Sequence, residues 1–387
     1  MAQKPEAGLP GVAAGVIRRD VMSLIKSNIT MAVLCVALAV PTALQLQSEA
    51  ESFVDVGRIP LMFDGFTADN VGSVQLAQPL DGQPTQPGRA QADTVSYKQL
   101  VLALTDAGWA LSNRGRPDLP LAGAPAMKSR IEADVFEHLR SIRKDPETLV
   151  QPAATEQQLA EYGLDDAHAF VVRCFDRTGK TIVADLLVGQ DASKWGKGSG
   201  DVRGVFVRQR GSNDVVLYEL PKPWRRSVKP KEWVDRTLFR LEPDKVRRLA
   251  IRNGATGKRT FVFERGPNQM RWESRDAADL GAPRQAEIEG LVQRLRYVAA
   301  QSVKKPLSRA GDMQALGLSP PQITLQVTVQ DGNDRRQITL EVGGRLPEKN
   351  EHFLTCSESK FLLTWPASKV AQFELDVAQR LFDPKPK

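Results

Sequence analysis

Apolar positions along this chain change period several times, and each change marks an element. Between Lys26 and Glu49 lie 22 residues without a charge, with an apolar core at 29–44. Further on, Val71–Leu76 and Gln99–Leu104 read as strands, and Gly108-Trp109-Ala110-Leu111 continues the second after a turn. Ile131, Val135, Leu139 and Ile142 then fall at i, i+4, i+8 and i+11, which places them on one face of a helix at roughly 129–143. The order returns later in the chain. Val246–Arg252 and Thr260–Glu264 read as paired strands, Met270-Arg271-Trp272 follows, and Ile288, Leu291, Val292, Leu295 and Val298 form one stripe of a helix at about 283–300.

This recurrence is a duplication. Residues 162–189 and 316–343 align without a gap: Gly163-Leu164 falls on Gly317-Leu318, and Leu186, Val188 and Gly189 fall on Leu340, Val342 and Gly343. Each copy continues into a hairpin, with turns expected at Asp176–Lys180 and Asp331–Arg335. Two more strands follow at Val205-Phe206-Val207 and 217–221, matched by His352-Phe353-Leu354 and 362–366. A short closing helix carrying Leu-Phe is expected at 238–239 and again at 381–382. The repeated residues are glycines and aliphatics, so they report on fold and not on a reaction. The expected class is α+β: a membrane helix followed by two tandem strand/helix modules at 68–242 and 243–387.

A bilayer needs roughly 20 residues of helix, so the uncharged run is long enough to cross it. Arg18, Arg19 and Lys26 precede it, which leaves residues 1–28 cytoplasmic and the bulk of the chain outside. The same segment has a second reading, a signal peptide broken at Pro41 and cut near Ser48-Glu49-Ala50. The long polar stretch before it and the distance from Pro41 to Ala50 favour an uncleaved anchor at 29–47. The expected location is the inner membrane of a bacterium, with one pass and a periplasmic body.

Charge sharpens this picture at one place. Between Lys222 and Arg252 there are eleven Lys/Arg against four Asp/Glu, an excess equal to the net charge of +7 for all 387 residues. Arg225, Arg226, Lys229, Lys231 and Arg236 are interleaved there with Trp224 and Trp233. Such a stretch binds an anionic surface or ligand, or is a packed linker with solvated arginines. A periplasmic body argues against nucleic acid and for an acidic protein or lipid headgroup.

The chain offers little for catalysis. Gly179-Lys180-Thr181 has the tail of a phosphate-binding loop, but Cys174 stands where that motif needs glycine, and the stretch lies in a hairpin. Gly196-Lys197-Gly198-Ser199-Gly200 reads as a hairpin tip absent from the second copy. His138, His168 and His352 have no catalytic spacing to Ser, Cys or another His, and read as surface residues. Cys35, Cys174 and Cys356 lack zinc spacing, and an extracytoplasmic body leaves a Cys174–Cys356 disulfide open. No enzyme, metal or cofactor is expected.

An N-terminal membrane segment, Tyr162-Gly163-Leu164 before a strand, Leu186-x-Val188-Gly189 ending the next, Leu220-Pro221, and the Arg-x-Leu-Phe of Arg236 to Phe239 together resemble the bacterial family called domain of unknown function 4340. The resemblance covers roughly residues 68–387. It implies a membrane-anchored companion of ABC transporters related to gliding-motility export systems, with an integral-membrane permease as partner. It brings no catalytic residues. A second expectation, from the basic stretch, is an extracytoplasmic binding protein using the cleft between modules for an anionic envelope component.

Overall fold

A computed structural model describes residues 59–80, 97–192, 204–220, 224–253, 259–266, 269–274, 277, 279–374 and 376–383. Eight strands build the first sheet: β1 (Val71–Pro79), β2 (Tyr97–Thr105), β3 (Gly108–Ser112), β4 (Leu149–Gln151), β5 (Phe170–Asp176), β6 (Ile182–Asp191), β7 (Gly204–Gln209) and β8 (Val215–Glu219). They lie in the order β3-β2-β1-β5-β6-β7-β8-β4, antiparallel throughout. After β9 (Thr237–Arg240) come β10 (Val246–Arg252), β11 (Phe261–Glu264), β12 (Tyr297–Ala299), β13 (Ser302–Pro306), β14 (Ile323–Asp331), β15 (Asp334–Arg345), β16 (Glu351–Cys356) and β17 (Phe361–Pro366). The second sheet runs β11-β10-β14-β15-β16-β17-β13, also antiparallel, and β9 pairs with β12 in a small third sheet.

The two large sheets share one topology. Replacing β2, β1, β5, β6, β7, β8 and β4 by β11, β10, β14, β15, β16, β17 and β13 turns the first order into the second. The place of β3 is taken by a single bridge between Glu264 and Glu273. Even the irregularities recur, since a register shift interrupts β1 between Val71 and Ser73 and β10 between Val246 and Arg248.

The glycines of the repeat have one structural use in both copies. Gly163 and Gly317 each sit at φ 66°, the left-handed region that glycine enters without penalty. The carbonyl before each one accepts from the far strand: Tyr162 O from Gln190 N at 2.9 Å, and Leu316 O from Gly344 N at 2.8 Å. A Cβ on Gly189 or Gly343 would overlap that same carbonyl and the following leucine. The repeated leucines, Leu164 and Leu318, are buried beneath this contact.

The gapless alignment fails along one strand. Phe170 faces Val188, whereas Ile323 faces Val342, so β5 matches β14 at an offset of 153 while β6 matches β15 at 154. The inward residues agree with the structural offset: Phe170, Val172 and Cys174 stand where Ile323, Leu325 and Val327 do. A one-residue slip would exchange the two faces of the strand. The compensating residue lies in the hairpin turn.

The α+β expectation is corrected: the described part is mostly antiparallel β-sheet with short helices. The stretch at 129–143 does coil, as Lys128–Ile131, a π turn over Glu132–Phe136, and Glu137–Ser141, with Ile131, Val135, Leu139 and Ile142 at most 1% exposed. The helix expected at 283–300 ends at Arg294, and the chain turns into β12 because its backbone pairs with β9. Leu238-Phe239, expected in a closing helix, lies in β9 for the same reason. The segments equivalent at the close are Pro230–Trp233 and Val377–Leu381. Each pairs with the entry of its copy's main helix, Met127 N to Trp233 O at 2.8 Å and Arg284 N to Leu381 O at 2.8 Å. The anchor expected at 29–47 lies outside the described residues. Among those described, no helix is long and apolar enough to cross a membrane.

Leu61–Lys387 is one compact unit, and the inner faces of both sheets belong to one apolar cluster. Val74, Leu102 and Leu186 of the first sheet join it with Leu249, Leu325 and Leu340 of the second, each at most 1% exposed. Side chains of that size contribute about 1.5–3 kcal/mol each when fully buried. Smaller clusters cover part of the outer face in each copy: Leu159, Tyr162 and Leu164 pack on Leu187 and Phe206, and Ala310 and Leu318 on Leu362.

Candidate functional site

The basic stretch is a seam between the copies. Its first half is bound to the first copy. The Trp224 indole donates to Asp134 O at 2.6 Å, inside the π turn where the regular helical ladder is interrupted. Arg226 donates to Gly189 O at 2.5 Å and to Asp191 Oδ1 at 2.7 Å. Trp233 is 1% exposed, donates to Ser227 O, and carries the Arg130 guanidinium 4.6 Å above its ring. The second half joins the other copy: Leu241 N donates to Arg296 O and Ala300 N to Arg236 O, both at 2.8 Å.

The five basic residues singled out by sequence therefore have different fates. Arg226 is tied into the first copy. Arg236 donates to Gln301 O at 2.9 Å, and Lys229 lies 3.8 Å from Glu232. Arg225 and Lys231 are exposed and make no ion pair among the described residues. Both tryptophans are buried, so no aromatic platform for stacked bases remains on this stretch.

A cavity of about 310 Å³ opens at the seam, between Arg236 and Thr237 of the linker, Tyr297 and Gln301 after the second helix, and Trp365 and Lys369 at the end of the second copy. Thr237 Oγ1 and Tyr297 Oη lie 3.2 Å apart, and the Arg240 guanidinium stands 5.3 Å from the Tyr297 ring. Asp235 also lines the space, with Oδ1 accepting from Thr237 N at 2.9 Å. Basic charge gathers close by. The Lys304 ammonium is pushed below its ordinary range by burial and by Lys349 and Lys231, with Glu351 acting against them.

A larger cavity, about 630 Å³, lies within the second copy beside Trp272. Its back wall is cross-linked: Arg265 stacks 4.5 Å over Trp272, donates to Val246 O at 2.7 Å and to Pro243 O, and pairs with Glu289 at 3.3 Å. Burial lowers the pKa of that guanidinium.

Sequence reading missed one polar cluster. His138 is 2% exposed and stacks on Trp224 with ring centroids 4.1 Å apart, so it is not the surface residue expected. Its Nδ1 lies 3.1 Å from Tyr218 Oη, which is 2.6 Å from Ser141 Oγ. The spacing of His138 and Ser141, three apart on one helix, was the available signal. Burial raises the Tyr218 phenol, the Ser141 hydrogen bond opposes this, and Glu137 adds to it. His168 is exposed and pairs with Asp165 at 2.6 Å, whereas His352 is buried, contrary to the surface reading, and lies 3.2 Å from Gly343 O.

The remaining candidates are structural in geometry. Asp176 Oδ1 accepts from Lys180 N at 3.1 Å and Thr181 N at 3.2 Å, so the amides that a phosphate-binding loop would present are already bonded. Cys174 and Cys356 are free and buried, not a disulfide, and burial pushes the Cys356 thiol up to about 11 and Cys174 higher. The loop at 196–200 lies outside the described residues. Among the described residues, no group of three His, Cys, Asp or Glu is placed to hold a metal ion.

Residues 121–303 match the model of the family described as Domain of unknown function (DUF4340). This match supports the resemblance drawn from the short motifs. It runs from before the π-turn helix, through β4–β9 and the basic seam, to the start of β13. No curated protein and no solved structure matches the chain.

Proposed function

We propose that this protein is a non-catalytic binding subunit of the bacterial inner-membrane surface, an accessory or docking component of an ABC-type, gliding-motility-like transport system whose partner is a multi-pass permease. The observation that carries the reading is the contrast between copies. Their strand order is the same, while the linker joining them gathers the chain's excess of basic charge and borders a cavity between the copies. Both described thiols are buried with raised pKa values, so neither is set up as a thiolate nucleophile. The transporter association itself comes from the family resemblance.

Mild-detergent pull-down of the tagged full chain from its own membranes tests this. A permease and an ATPase recovered in near-equal amounts is the expected result. Recovery of the protein alone, or in soluble form shortened at its N-terminus, overturns it. A second reading, a periplasmic binding protein for an anionic ligand, is favoured by the seam cavity, which Arg236 and Lys369 both line with no ion pair to either among the described residues.

A further inference from the structure

The seam cavity has the composition of a small anion site. It combines a guanidinium, an ammonium, two hydroxyls and two aromatic walls, contributed by three segments far apart in sequence. Its volume, about 310 Å³, lies at the lower end of the range for small-molecule pockets, roughly 300–1,000 Å³. Arg236 uses one donor on Gln301 O, and a guanidinium carries five. Lys369 is exposed and lacks an ion pair among the described residues. Thr237 and Tyr297 hold each other's hydroxyls in place. The one carboxylate, Asp235, is anchored by the Thr237 amide, and it disfavours a ligand carrying negative charge on all sides.

We propose that this cavity binds a phosphate ester, with Arg236 and Lys369 on the phosphate oxygens and Tyr297 and Trp365 flanking the organic part. Arg supplies paired donors to phosphate and Lys a compact point charge, so the two together take a phosphate better than either alone. An ester fits better than inorganic phosphate because Asp235 accepts a hydroxyl of the organic part while the phosphate faces the cations. The Arg240 guanidinium, 5.3 Å from the Tyr297 ring, adds a further positive charge beside the cavity and raises the local concentration of such an anion. This inference deepens the second reading above and rests on it.

Calorimetry of the purified full chain with glycerol 3-phosphate, and flotation with vesicles of phosphatidylcholine alone or with phosphatidylglycerol, read the two sources of the ester. Both are run near physiological salt, where exposed charges are screened beyond about 8 Å. Binding of either probe supports the proposal and names its source. Lys369→Gln is expected to weaken that binding about tenfold, equal to 1.4 kcal/mol. Arg236→Gln is expected to weaken it further, and Arg225→Gln to leave it within twofold. Among the described residues the Lys369 side chain has no bonded partner, so its variant is expected to fold as the parent does, checked by thermal melting. Absence of binding to both probes, or equal loss in Lys369→Gln and Arg225→Gln, overturns the proposal. Capture of a permease by Lys369→Gln at the parent level would separate this result from the docking reading, which stands or falls on the pull-down.

Discussion

Arg226 closes on Gly189: its guanidinium reaches the glycine carbonyl at 2.5 Å and, two residues on, the Asp191 carboxylate at 2.7 Å. Gly189 is the residue whose missing side chain makes room for the Tyr162 carbonyl. The linker is thus fastened to a tightly constrained point of the first repeat. Replacing Arg226 by Ala removes a charge-assisted bond to a partly buried carbonyl, and the expected cost is about 1.5–3 kcal/mol. Arg225→Ala, one residue away and exposed, is expected to change stability by less than about 0.5 kcal/mol. Urea unfolding of the two variants side by side checks the contrast, and equal midpoints would refute the latch.

Gly343→Ala places a methyl group against Leu316 O and Leu318 and is expected to destabilise by about 1–3 kcal/mol. Gly290 supplies the opposite case. It lies in the helix Gln285–Arg294 with nothing within 4 Å of an added Cβ, so Gly290→Ala is expected to stabilise by about 0.5–1 kcal/mol. Thermal melts of opposite sign confirm the pair.

Tyr218→Phe breaks the bridge between His138 and Ser141 and is expected to cost about 1–2 kcal/mol. It also changes the alkaline limb of the stability profile. Because the folded-state phenol sits above 10.0, the unfolded chain loses its proton first as pH rises. The parent is therefore expected to lose stability from about pH 10 upward until the folded phenol ionises. The Phe variant is expected to lose less over that window. Denaturation midpoints at pH 9 and pH 10.5 measure the difference.

Cys174 and Cys356 are expected to resist a thiol reagent at pH 8 in the folded protein and to react fully in denaturant, because burial raises both thiols. A Cys35→Ser background leaves these two as the only thiols counted. Fast labelling of either in the native state would contradict the packing described for β5 and β16.

The hairpins of 162–189 and 316–343 were legible because each needs a left-handed glycine, a buried leucine and an alternating strand in fixed order. The offset along β5 was not, since Phe170, Val171 and Val172 are all buried and a strand covered on both faces shows no alternation. Nor was β9: Leu238-Phe239 carries no intrinsic preference that outweighs its pairing with a segment sixty residues away. The basic stretch was visible as charge, but its bonds were not. Arg226 and Arg236 donate to the carbonyls of Gly189 and Gln301, and a carbonyl leaves no mark in sequence.

The edges of the two sheets carry a last consequence. On the first sheet, β3 is covered by Gly123–Ala126, which bond to Trp109 and Leu111, and β4 has three residues. On the second, β11 has four residues and already bonds to Glu273, and β13 is broken by a register shift and carries Lys304, Lys305 and Pro306. Short, charged or proline-bearing edges are poor templates for another strand. A molecule so rich in sheet is thereby protected from edge-to-edge aggregation. Among the described residues no edge of useful length is open for a partner strand to extend, so a partner docking on these sheets is expected to be recognised through side chains.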